Sequence, residues 1–128
     1  MNTSKQEKPQ DLEERTYEFA LRTRLLLKQR EWDPTSWSDV QQLLRSSGSV
    51  ASNYLEAQDA LSSDDFIYRN RICRKEARES GLWLNLLRDT NELSDDQNRE
   101  IDDLIAETHE LRKIFSAIIL RRLRQSNE

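Results

Sequence analysis

The chain predicts an all-α fold, an up-down-up-down antiparallel four-helix bundle, and three observations carry the prediction. Glycine and proline number only two each while charged residues make up 34% of the 128 positions, a composition too poor in turn formers for a β fold and suited to long helices. Apolar residues recur at steps of three and four over long segments, the period of a helix that buries one face. Short polar connectors near 31–36, 61–63 and 89–94 separate those segments and force consecutive helices to run antiparallel. At this length a single domain can bury a core.

Met1 to Gln10 is polar, holds Pro9 and has no periodicity, so it reads as a disordered tail ahead of a bundle domain over residues 11–124. Asp11 can cap a first helix, expected at about 12–30, with Leu12, Thr16, Phe19, Thr23 and Leu26 on its inner line. A second line, Tyr17, Leu21 and Leu25, widens the apolar arc beyond what one core needs and is a candidate subunit interface. Pro34 disfavours helix at Asp33, and Ser36-Trp37-Ser38-Asp39 then reads as a capping box that opens a second helix over about 37–60.

The second helix carries two parallel stripes. Leu43, Ser47, Val50, Tyr54, Ala57 and Leu61 form an apolar seam. Beside it run Ser46, Ser49, Asn53, Glu56 and Ala60, small residues interrupted by one amide and one carboxylate. Gly48 among serines predicts the close approach of a neighbouring backbone. Ser62 and Asp65, at capping-box spacing, start a third helix over about 63–88, with Phe66, Cys73, Ala77, Leu84 and Leu87, joined by Ile72, as its core line. Its end is apolar almost all round, so Leu82, Trp83 and Leu86 are the other half of the candidate interface. Ser94-Asp95-Asp96-Gln97 opens the last helix, over about 95–124, with Ile101, Leu104, Ile105, Thr108, Leu111, Phe115, Ile118 and Ile119 facing inward and residues 125–128 fraying.

Catalytic and metal chemistry find no foothold in these segments. A di-metal carboxylate bundle needs Glu-x-x-His pairs, but the one histidine, His109, follows Ala106 at that spacing. One cysteine and one histidine make no zinc set, no serine sits in a Gly-x-Ser-x-Gly turn, and no glycine-rich phosphate loop exists. The expectation is a protein without enzymatic activity, cofactor or metal. No apolar run reaches the roughly 18 residues of a membrane span, and the N-terminus lacks the apolar core of a signal peptide, so a cytoplasmic protein with no membrane partner is expected. Cys73, on an apolar stripe, reads as a small buried thiol. Asn53 and Glu56, three apart on one face, can meet arginines of the third helix in a polar network, buried within the subunit or spanning two subunits, that fixes helix register.

The net charge of −4 hides segregation. Residues 89–111 hold nine acids against Arg99, while residues 112–124 carry five bases and no acid. Acids at the start and bases at the end of one helix complement its dipole. The alternative is a nucleic-acid contact, in which Arg69, Arg71, Arg74, Lys75 and Arg78, or the tail Arg121, Arg122 and Arg124, face a phosphate backbone. Pairing of those bases with acids of the last helix would remove its basis.

The run Asp11 to Arg22, the pieces Gln42-Leu43, Ser49-Val50, Asn53 and Glu56-Ala57-Gln58, and the run Asp65 to Ser80 with Leu84 together resemble the bacterial four-helix-bundle proteins. These are also called the 23S rRNA intervening-sequence protein family. The resemblance spans about residues 11–120. It implies a cytosolic bundle that assembles with itself, as a homopentamer, and it would account for the surplus apolar surface. It also implies that the recurring polar positions fall on Asn53 and Glu56, and less closely on Glu79. Some members work with nucleic acid, and those are strongly basic, unlike this chain. Where many members have proline near position 51 and glycine at 57, this chain has Ala51 and Ala57, which implies a more regular second helix.

Overall fold

The computed structural model describes residues 11–126, and over them the chain forms four helices: α1 Leu12–Leu27, α2 Trp37–Gln58, α3 Ser63–Thr90 and α4 Asp95–Ser126. Each packs on its neighbour in the chain and α1 returns to α4, closing the antiparallel bundle that the connectors predict. The α2–α3 and α3–α4 faces are the most extensive, and α1–α4 is the least. The expected tail Met1–Gln10 and the last two residues lie outside the described part. Gln125, expected to fray, belongs to α4.

Capping chemistry sets most of the starts. The Asp11 carboxylate accepts the Glu13 amide at 2.9 Å, the Ser62 hydroxyl accepts that of Asp65 at 3.1 Å, and Ser94 and Gln97 cap each other at 3.1 and 3.2 Å. The capping box expected at Ser36 does not form. Asp33 takes over instead, accepting the Thr35 hydroxyl at 2.6 Å and the Ser36 amide at 3.0 Å, and these bonds hold its carboxyl below the ordinary range. Ser36 is turned inward, where its hydroxyl accepts from the Asn91 side chain at 3.1 Å. α1 ends at Leu27, three residues short of the expected boundary, because Trp32 folds back over it. The Trp32 indole N–H donates to the Leu27 carbonyl at 3.1 Å, satisfying one of the carbonyls that a helix end leaves open.

The core is one cluster running through all four helices, built from Phe19, Leu26, Leu43, Val50, Ala77, Leu84, Leu87, Ile101, Leu104, Leu111 and Phe115. On α3, Ile67 takes the buried position expected of Phe66 and Ile72, which are only half-buried. The α2 seam stops at Ala57: Leu61 lies beyond the helix end, in the connector, fully exposed. Cys73 is buried beside α2, its thiol 3.5 Å from the Val50 carbonyl, and burial pushes it up to about 12. α2 runs without a break through Ala51 and Ala57.

Close approach at the glycines is made by side chains. A Cβ at Gly48 would lie 3.0 Å from a guanidinium nitrogen of Arg24, so the room left there serves a side chain of α1, in place of the backbone contact expected. That guanidinium donates to the Ala20 and Leu44 carbonyls and to the Ser47 hydroxyl, at 3.1, 3.1 and 3.3 Å, and so ties α1 to α2. At Gly81 a Cβ would lie 3.0 Å from the Thr108 hydroxyl oxygen, and the missing side chain lets α3 and α4 close together.

Candidate functional site

Two kinds of surface could carry function, an apolar pair of stripes and a basic groove. The stripes come from the amphipathic excess of α1 and α3. Tyr17 and Leu25 on α1 are 61% and 51% exposed, and Leu82 and Leu86 on α3 are 51% and 37% exposed. Leu21 is half-buried between the first two, whereas Trp83 turns inward and packs against the core. Its indole N–H is buried without a hydrogen-bond partner among the described residues. Of the expected interface residues, Trp83 is therefore the one committed to the subunit's own interior. α1 and α3 are not adjacent helices, so the two stripes sit on separate corners of the bundle.

The groove lies between α3 and α4. Arg71, Arg74, Lys75 and Arg78 line it from α3, and His109, Arg112, Lys113 and Ser116 from α4. The helical spacing is the same on both sides, since residues three, four and seven apart share a face. Arg74 donates to the Ser116 hydroxyl at 3.2 Å, and Lys113 pairs with Glu110 of its own helix at 3.1 Å. No ion pair joins Arg71, Arg74, Lys75, Arg78 or Arg112 to an acid among the described residues. Three other acids of α4 go elsewhere: Glu107 to Arg15 at 2.7 Å, Glu100 to Arg22 at 2.5 Å and Asp102 to Arg88 at 3.0 Å.

The remaining basic residues named from the sequence are not part of this groove. Arg69 points to α2, where it donates to the Asn53 carbonyl oxygen at 3.1 Å and lies 3.8 Å from Asp65. Arg121 and Arg122 line a different hollow with Tyr54, Phe66 and Ile118, and Arg122 stacks over the Phe66 ring at 3.9 Å. Arg124 is exposed in the last turns of α4. His109, Arg112, Lys113 and Ser116 were missed. Their spacing matched that of the α3 bases, but the register bringing Thr108 against Gly81 is set by packing.

The expected Asn53–Glu56–arginine network forms only in part. Asn53 donates to the Ser49 carbonyl and hydroxyl at 3.0 and 2.9 Å and accepts from Arg69, while Glu56 is exposed and takes no part. The buried carboxylate is Glu76, held by Arg45 at 2.9 Å; Arg45 also reaches Glu79 at 3.3 Å. That partnership raises the Arg45 guanidinium, chiefly through its hydrogen bond to Glu76. These contacts lie in the α2–α3 seam beside the Ser46–Ser80 hydroxyl pair, 2.8 Å apart. Among the described residues no group of three His, Cys, Asp or Glu could hold a metal ion, and no helix is long and apolar enough to cross a membrane.

The family model described as 23S rRNA-intervening sequence protein matches residues 10–116. No curated protein matches the chain. Among solved structures, the chain is similar to a protein of unknown function from the S23 ribosomal protein family of Bacteroides thetaiotaomicron. The two are 29% identical, the match covers 85% of this chain and 98% of that one, and the TM-score is 0.70.

Proposed function

The chain belongs to the 23S rRNA-intervening sequence protein family, and from that premise we propose that it is a non-enzymatic, cytoplasmic scaffold or adaptor subunit that assembles with itself into a pentameric ring. One observation carries this reading: Tyr17 and Leu25 on α1 and Leu82 and Leu86 on α3 stand exposed on separate corners of a bundle whose core is already filled. Contiguous exposed apolar surface marks association, and two different surfaces per subunit suit a head-to-tail contact. The Cys73 thiol is buried and pushed up to about 12, so it is not activated as a nucleophile.

A second reading, an accessory protein that binds nucleic acid, is favoured by the groove. Its α3 bases are not neutralised by the acids of α4, the condition that would have removed its basis. Repetition of the groove around a ring would multiply weak phosphate contacts into salt-sensitive avidity. Size-exclusion chromatography with light scattering, recording absorbance at nucleic-acid and protein wavelengths on gently lysed material, tests both readings. A protein-only peak near five times the 15.2 kDa chain is the expected result. Nucleic acid released by salt would move the second reading ahead, and a clean monomer would overturn the scaffold.

A further inference from the structure

The exposed stripes of α1 and α3 match each other residue by residue. On α1 the outward positions are Glu14, Tyr17, Leu21, Leu25 and Lys28; on α3 they are Lys75, Arg78, Leu82, Leu86 and Asp89. Both series step by three, four, four and three, so both trace one side of a helix. All are exposed except Leu21, which is half-buried. Laid side by side in the same direction, the stripes set Glu14 against Lys75, the Tyr17 ring against Arg78, Leu21 against Leu82, Leu25 against Leu86 and Lys28 against Asp89. The series opens and closes on opposite charges, with a cation over an aromatic ring and two leucine pairs between.

We propose that α1 of one copy packs parallel on α3 of a second copy in this register. The inference rests on the self-assembly reading and names its contact. Direction follows from the chemistry, because reversing one stripe sets Glu14 against Asp89 and Lys28 against Lys75, like charges at both ends, and Leu25 against Arg78. It agrees with the topology: α1 and α3 run the same way in an up-down-up-down bundle, so a parallel α1–α3 contact keeps all subunits pointing along one axis. That is a heterologous contact, able to repeat around a closed ring. The stripes span about 21 Å at 1.5 Å per residue.

The neighbouring charges are accommodated. Glu18 and Glu79 would flank the contact on opposite sides; Glu79 is held by Arg45 of its own chain at 3.3 Å, and Glu18 lines a hollow with Arg15 and Arg22. Lys75 and Arg78 have no acid partner among the described residues, and Asp89 shares its charge with Arg88 at 3.0 Å. Arg71, Arg74, Arg112 and Lys113 remain in the α3–α4 groove.

Charge reversal in the full-length protein tests the register. Glu14→Lys and Lys75→Glu should each raise the concentration at which the assembly half-dissociates by about tenfold, and the double variant should return it to within about threefold of wild type. Because both positions are exposed, circular dichroism should show unchanged helix. Independently, the pair Leu25→Cys with Leu86→Cys should oxidise to a covalent ladder of subunits, whereas Leu25→Cys with Arg78→Cys, which only a reversed stripe would join, should not. Single reversals that assemble like wild type, a double variant that is not rescued, or cross-linking only of the second cysteine pair would each overturn the register. A wild-type protein that is monomeric throughout would overturn the self-assembly reading itself.

Discussion

The α2–α3 seam and the α1–α4 seam close the same bundle by opposite means. Between α2 and α3 the contact residues are small, and Ser46, Ser80, Ala77 and Cys73 let the helices approach until hydroxyls and thiol find partners inside the seam. Between α1 and α4 the contact is thinner, and it is spanned by long charged side chains, Arg15 to Glu107 and Arg22 to Glu100. Close packing of buried atoms is insensitive to salt, whereas partly exposed ion pairs are weak and screened. α1 is therefore expected to be the most readily released member of the bundle, and α2, α3 and α4 its firmer part. α1 is also half of the proposed contact between copies, so assembly would stabilise the element the isolated subunit holds least firmly.

The largest break in that comparison comes from the firm side. Phe115, fully buried in α4, also faces the Tyr54 ring at a centroid distance of 6.3 Å. Phe115→Ala should lower the unfolding free energy by about 3–5 kcal/mol, read as a drop in the urea midpoint with an unchanged slope. A loss under about 1 kcal/mol would mean that the core at α4 is far looser than its burial implies.

Cys73 sharpens the same side through pH. Its thiol is raised by burial from 9.0 to about 12, so the folded state keeps the proton longer than the unfolded chain. The contribution is present in full below about pH 9 and is lost as pH rises toward about 12. Unfolding free energy measured at pH 8 and pH 11 should fall by roughly 2–3 kcal/mol more in wild type than in Cys73→Ala. Parallel pH curves for the two proteins would contradict a buried thiol. The native protein should also resist thiol-specific reagents at pH 8 while the denatured chain reacts at once.

The sequence was informative where one physical rule decided the outcome. The helix periods, the Ser62 and Ser94 caps, the burial of Cys73 and the exposure of Tyr17, Leu25, Leu82 and Leu86 all follow from local spacing. It was uninformative where two local signals competed or where register mattered. Ser36 looked like a cap, but Asp33 beside Pro34 offered a stronger acceptor. Glu56 and Glu76 are both helical carboxylates near apolar seams, and only the inter-helix rotation shows that Glu76 meets Arg45 while Glu56 faces water. The α4 half of the basic groove stayed hidden for the same reason, because Arg112 and Lys113 join the α3 bases only once Gly81 sets the helices together.

On the looser side, replacing Arg15 and Arg22 together with Met should cost about 1 kcal/mol, since each pair is partly exposed. The informative readout is regional. Amide exchange in α1 should accelerate while that of α3 stays near wild type, and added salt should speed α1 exchange in the wild type but little in the variant. Equal acceleration in α1 and α3 would show that α1 does not open by itself and would remove the distinction between the two seams.

The smallest effect separates two carboxylates of similar appearance. Glu56 is exposed on α2 and takes no hydrogen bond or ion pair among the described residues, whereas Glu76 is 4% exposed on α3 and held by Arg45. Glu56→Ala should change the stability of the monomer by less than about 0.5 kcal/mol, whereas Arg45→Ala, which strands the Glu76 charge, should cost about 2 kcal/mol. Neither residue lies on the proposed α1–α3 stripes, so the oligomeric mass of Glu56→Ala should match wild type under light scattering. Loss of assembly in that variant with unchanged helix content would move the subunit contact onto α2, beside Asn53, and away from the register argued above.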